Sequence, residues 1–205
     1  MDGVAKYSVV RGAIADGDLI GFAGRSNWLP GGKGSFQSWA IRWWTGPSWK
    51  PWKLAEVSHV GVCIWVTTQW DVSPRLFVME AVGSGVRMLP LGWLVEHYPG
   101  AIYHRPLKGG LISGQTVAAN GLAKLGRSYA PLSQYAVIAL PWFRRLLYRL
   151  GWKTDLGPEQ EVCSEFVARE FIEAGFQAGK PAEETSPAEV WQWPIFGNAT
   201  TLKAG

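Results

Sequence analysis

Residues 57–66 read Val57-Ser58-His59-Val60-Gly61-Val62-Cys63-Ile64-Trp65-Val66, and the remaining elements can be laid out on either side of them. β-Branched and aromatic side chains suit a pleated, half-buried surface, so this run predicts a core strand. Phe77 to Val82 is a second such run, after a loop containing Asp71, Ser73 and Pro74, and the two together predict an antiparallel hairpin. Gly83-Ser84-Gly85 then reads as a turn or bulge; it opens no helix, so it is not a phosphate cradle. Val86 to Leu89 continues extended, and Ala101 to Arg105 is a further strand stopped by Pro106. Upstream, the Asp16-Gly17 turn signal precedes a short strand, Asp18 to Phe22. The central third of the chain is therefore expected to be a sheet.

Helical spacing appears on the far side of that sheet. Ser113 can cap a helix in which Val117, Ala118, Gly121, Leu122 and Leu125 recur on one face, with Gly126 placed to end it. From Val162 to Ala174 the period is cleaner: Cys163, Phe166, Val167, Glu170, Phe171 and Ala174 share a face and Gly175 follows as a stop. Ser186-Pro187-Ala188-Glu189 has a serine cap, proline at the first helical position and a carboxylate three residues after the cap, a capping-box pattern. Two further stretches are less regular. Ser38 to Trp44 predicts a short helix ended by Gly46-Pro47. Gln134 to Gly151 joins bulky apolar residues to Arg144, Arg145 and Arg149, with a break or kink at Pro141.

At 205 residues, with 47% apolar and 18% charged, the chain is sized for one α+β domain spanning 1–205. The net charge of +4 is scattered rather than gathered into a block, so no nucleic-acid partner is expected. Met1 to Gly17 has no apolar run after a basic start, and no stretch nears the roughly 18 apolar residues of a membrane span. The expectation is a soluble protein without an export signal, cytoplasmic by default. Cys63 and Cys163 are too few for a disulfide framework and lack zinc-site spacing, although one Cys63–Cys163 bridge stays open. Five of the 13 tryptophans (Trp39, Trp43, Trp44, Trp49, Trp52) crowd a Gly- and Pro-rich segment that is either a core wedge or a contact surface.

Chemistry enters through Cys163, expected in the first turn of its helix. There the unpaired backbone N–H groups and the positive end of the helix dipole favour a thiolate, and can later hold an oxyanion. A thiolate needs an imidazole partner, and only His59, His97 and His104 exist. His59 is the best placed, at the start of a core strand between the small residues Ser58 and Gly61. His97 is read in a loop beside Pro99-Gly100, and His104 sits next to Arg105, which disfavours a second positive charge. Glu80 on the partner strand can orient the His59 ring if the register puts both on one sheet face, whereas a slip of one residue separates them. The plain alternatives are an inert buried cysteine, a core histidine, and a Glu80 that merely pairs with Arg87. Cys63 reads as core filling, since four residues of strand hold it roughly 13 Å from His59.

These residues resemble a known family, the circularly permuted NlpC-type branch of the papain-like superfamily, and within it YiiX-like proteins. The likeness rests on Gly17-Asp18-Leu19-Ile20, Ser58-His59-Val60-Gly61-Val62, Val78-Met79-Glu80-Ala81, Gly126-Arg127-Ser128-Tyr129, Val162-Cys163-Ser164-Glu165-Phe166-Val167 and the Ser186-Pro187 helix start. As in that family, the histidine strand precedes the cysteine helix. The resemblance implies an antiparallel sheet packed against the cysteine helix, with Cys163 as nucleophile, His59 as base, Glu80 as orienting group and no metal or organic cofactor. Tyr129 would fall near the cleft, and Ser58 and Ser164, flanking the pair, are the other expected substrate contacts. Two segments depart from the pattern: a Trp-rich insertion at about 28–52 and the basic-apolar stretch at about 135–153.

The implied activity is hydrolysis of an amide bond in cell-wall peptides or isopeptides through a thioester. Lipid acyl hydrolysis or transfer is the second reading, with peripheral contact to a membrane surface through the Trp-rich and basic-apolar segments. A non-catalytic binding or structural module on the same fold is the third.

Overall fold

Strands buried on both faces carry continuous apolar runs rather than strict alternation, and that accounts for the architecture. A computed structural model describes residues 7–24, 55–67, 73–129, 160–161 and 163–205. The Trp-rich insertion, the helix expected at Ser38 to Trp44 and the basic-apolar stretch 135–153 lie outside these residues. A short helix α1 (Tyr7–Val10) and a 3-10 turn (Arg11–Ala13) lead into β1 (Leu19–Ala23). Then come β2 (His59–Val66), β3 (Arg75–Val82), β4 (Gly85–Pro90), α2 (Leu91–His97), β5 (Ala101–Arg105) and α3 (Gly114–Leu122). The chain closes with β6 (Ser128–Tyr129), β7 (Gln160–Glu161), α4 (Cys163–Glu173), α5 (Pro187–Trp191) and β8 (Thr200–Lys203).

The fold is α+β. Its six-stranded sheet runs in the order β4-β3-β2-β1-β5-β8, every neighbouring pair antiparallel. Alternate residues of the central strands feed two cores. Leu19, Val60, Val62, Met79 and Ala81 join Val117 and Ala118 of α3, Phe166, Val167 and Phe171 of α4, and Val190 and Trp191 of α5. Ile20, Phe22, Cys63, Val78 and Ile102 join Leu91 and Leu94 of α2 and Ile14 on the other side. Each fully buried Phe or Leu contributes about 1.5–3 kcal/mol, so this double layer is the main stabilising term.

Local signals explain the element ends. The Ser113 hydroxyl accepts from Thr116 N at 3.3 Å, the capping box at Ser186 and Glu189 is complete, and Gly175 after α4 has φ +100°. Some expectations are corrected. The helix after Ser113 stops at Leu122, so Leu122 and Leu125 are exposed instead of extending the buried face. His97 lies in the last turn of α2, not in a loop, because Pro90 and Leu91 start a helix there that carries no side-chain cap signal. The strand β8 and the parallel pairing of β6 with β7 were not foreseen from the residues; both depend on partners far away in the chain.

Candidate active site

Three strands and one helix bring the ionisable groups together. The β2–β3 register runs from Val66↔Arg75 to Val62↔Met79, so one step further sets Gly61 opposite Glu80. His59, two residues before Gly61, is then a diagonal neighbour of Glu80 on the same face, within reach of long side chains. His59 Nε2 donates to Glu80 Oε2 at 2.7 Å. Gly61 keeps the space between them open: a Cβ there would stand 3.4 Å from Glu80 Cβ, 2.6 Å from Val78 Cγ1 and 2.8 Å from the Met79 carbonyl.

The other oxygen of Glu80 is also held. Arg87, directly opposite on β4, donates to Oε1 from Nε at 3.0 Å and from Nη2 at 2.7 Å. Pairing with Arg87 and orientation of His59 therefore coexist, one on each carboxylate oxygen. Burial alone would push the Glu80 carboxyl up, but the His59 and Arg87 contacts bring it below its usual range.

Cys163 is the first residue of α4 and His59 the first of β2, and the two side chains interact electrostatically, the sulfur favouring the charged form of the ring. With Nε2 committed to Glu80, Nδ1 is the nitrogen left for the sulfur. Burial opposes charge on the ring, yet Cys163 first and Glu80 second outweigh it and push its pKa up to about 10. The ring is thus an imidazolium at neutral pH. Phe22 flanks it with ring centroids 5.2 Å apart. The sulfur and imidazole meet at element ends rather than across a shared face: α4 buries its apolar side in the cluster with Val60, Val62 and Met79, the positions alternate to His59.

The remaining expected residues fall into different roles. The buried Ser58 donates its hydroxyl to the Phe22 carbonyl at 3.2 Å, tying β2 to β1. Ser164 is buried beside Cys163. Tyr129 pairs with Glu161 through the backbone of β6 and β7, and its side chain lies outside the described residues. Cys63 is a buried, free thiol in the second core, and Cys163 is free as well.

The other two histidines are engaged elsewhere. His97 stacks on Trp93 with centroids 4.6 Å apart and bonds the Trp93 carbonyl within its own helix. His104 donates Nε2 to Asp18 Oδ2 at 2.7 Å, while Arg105 points to the carbonyls of Trp191, Phe196 and Gly197. Adjacent strand residues face opposite ways, so the expected repulsion between His104 and Arg105 does not arise. Asp18 also accepts from the backbone N–H groups of Ala15 and Leu107, both at 2.8 Å, which makes the buried His104–Asp18 pair a clasp between loop and strands. Residue reasoning missed that clasp; the signal was a carboxylate at the head of an otherwise apolar strand.

Among the described residues no helix is long and apolar enough to cross a membrane, and no group of three or more His, Cys, Asp or Glu side chains could hold a metal ion. A scan against protein-family models and a search of curated proteins each found no match to this chain.

Proposed function

We propose that this chain is a cysteine-dependent hydrolase of the papain-like class, in the permuted, NlpC-type arrangement that its YiiX-like motifs resemble, cleaving an amide bond in a cell-wall peptide or isopeptide. The observation that carries this reading is the His59 imidazole shared between Glu80 and Cys163, with the thiol at a helix start. A nucleophile, a base and an orienting acceptor in that sequence form the arrangement on which acyl transfer by cysteine depends.

Attack requires the sulfur as thiolate, with His59 carrying the proton. The sulfur attacks the carbonyl carbon and the C=O electron pair moves to oxygen, where backbone N–H groups at the start of α4 stabilise it. Collapse expels the amine, which takes the His59 proton, and leaves a thioester beside a neutral ring. His59 then removes a proton from water as its oxygen attacks the thioester. The second collapse restores thiolate and imidazolium and releases the acid.

The test is substrate-free. Cys163 should be alkylated by iodoacetamide at neutral pH faster than a free model thiol, and His59→Ala should abolish the excess. Labelling no faster than the model thiol, unchanged by His59→Ala, overturns the reading. With substrates, cleavage of a γ-glutamyl peptide without affinity for liposomes supports the peptide assignment, whereas release of acyl chains from phospholipid vesicles would move it to lipid.

A further inference from the structure

The carboxylate that orients His59 is itself oriented. Glu80 is 3% exposed, and each of its oxygens has a separate partner: Oε2 the imidazole, Oε1 the Arg87 fork. A carboxylate free to rotate about its last torsion would exchange its oxygens and let the His59 ring turn with it. The two N–H groups of Arg87 on one oxygen prevent that, because a planar fork fixes direction as well as charge. The pairing is built into the sheet, since Glu80 and Arg87 stand directly opposite in the β3–β4 register. The Arg87 side chain is 44% exposed, so neither core packing nor burial explains why it lies here.

We propose that Arg87 is a positioning residue for the Cys163–His59 pair, acting through Glu80 and never on the substrate. This rests on the catalytic reading above. Among the described residues the ionisable groups that act on Glu80 are His59 of β2 and Arg87 of β4, with Cys163 of α4 beyond the ring; Arg127 lies beside β4, its carbonyl accepting from Val86 N. Arg87→Met keeps the length of the stem and removes fork and charge, Arg87→Lys keeps the charge alone, and Glu80→Gln removes the group through which Arg87 would act.

The experiment follows iodoacetamide labelling of Cys163 at pH 7, resolved by peptide mass spectrometry, together with an NMR titration of the His59 ring. Circular dichroism establishes that each variant is folded. Arg87→Met should slow labelling about tenfold, Arg87→Lys should recover part of that loss, and Arg87→Met should add nothing in a Glu80→Gln background. The His59 titration should move in Arg87→Met. A folded Arg87→Met that labels at the wild-type rate with an unmoved His59 titration overturns the proposal, as does an equal loss in the Glu80→Gln background. A His59 titration that follows Arg87 beside an unreactive wild-type thiol would instead retain the coupling and remove the catalytic reading.

Discussion

Cys163 supports the proton on His59 more strongly than Glu80 does, which makes the sulfur more than a bystander to that ring. Replacing it by alanine removes the larger support while burial, which opposes the charge, remains. In Cys163→Ala the His59 ring should therefore titrate well below about 10, the change being read by NMR on the imidazole nitrogens. The sign has a functional counterpart. His59 is raised, so its positive form persists through neutrality and is lost as pH climbs through its folded value; activity, which needs the ring proton for the leaving amine, should fall on the alkaline side as pH passes through about 10, while the thiolate stays open to alkylation. A fall centred near the ordinary histidine value of about 6.5 would contradict the assignment of the ring. At this scale the sequence narrowed the base to three histidines, and His59 stood out by its small neighbours. That Glu80 serves His59 and Arg87 at once was not legible, because register is a property of two strands and not of either one.

The strand pair β2–β3 is where that register becomes chemistry. Gly61 sits opposite Glu80, and adding a methyl would force Val78 and the Met79 backbone to shift. Gly61→Ala should destabilise the fold by about 1–3 kcal/mol and also slow Cys163 labelling, because the strain falls between His59 and Glu80; urea denaturation and alkylation rates measure the two effects. Loss of stability with an unchanged alkylation rate would separate the strand from the site. Element positions themselves were largely readable: the 57–66 run, the Cys163 helix and the Ser186 capping box carry period, caps and stops in their own residues. Helix α2 and strand β8 carry no comparable local mark and form because distant partners complete them.

Across the whole molecule, α3 packs on α4 through apolar residues, and the turn that follows α3 is joined to α4 by a buried ion pair. Lys124 Nζ lies 2.8 Å from Glu170 Oε1 and 2.8 Å from Glu173 Oε2, with Glu170 fully buried. Removing one partner of such a pair typically costs about 3–5 kcal/mol, while replacing both by apolar groups is often neutral. Lys124→Met should lower the denaturation midpoint accordingly, and Lys124→Met with Glu170→Leu should recover most of the loss; no recovery would show that the carboxylate serves another partner. Glu170 was readable as a member of the α4 buried face. Its cation was not, since Lys124 lies 46 residues away.

From its residues alone the chain determined its α+β class, the strands and helices that carry His59, Glu80 and Cys163, and the order histidine before cysteine, because periodicity, caps and turn residues act over a few neighbours. Only the tertiary structure decided that the first residue of β2 meets the first residue of α4, that Glu80 divides its oxygens between His59 and Arg87, and that His104 is taken by Asp18. Those pairings follow from strand register and helix docking, where the favourable terms are burial and charge between segments up to about a hundred residues apart, and no local pattern encodes them.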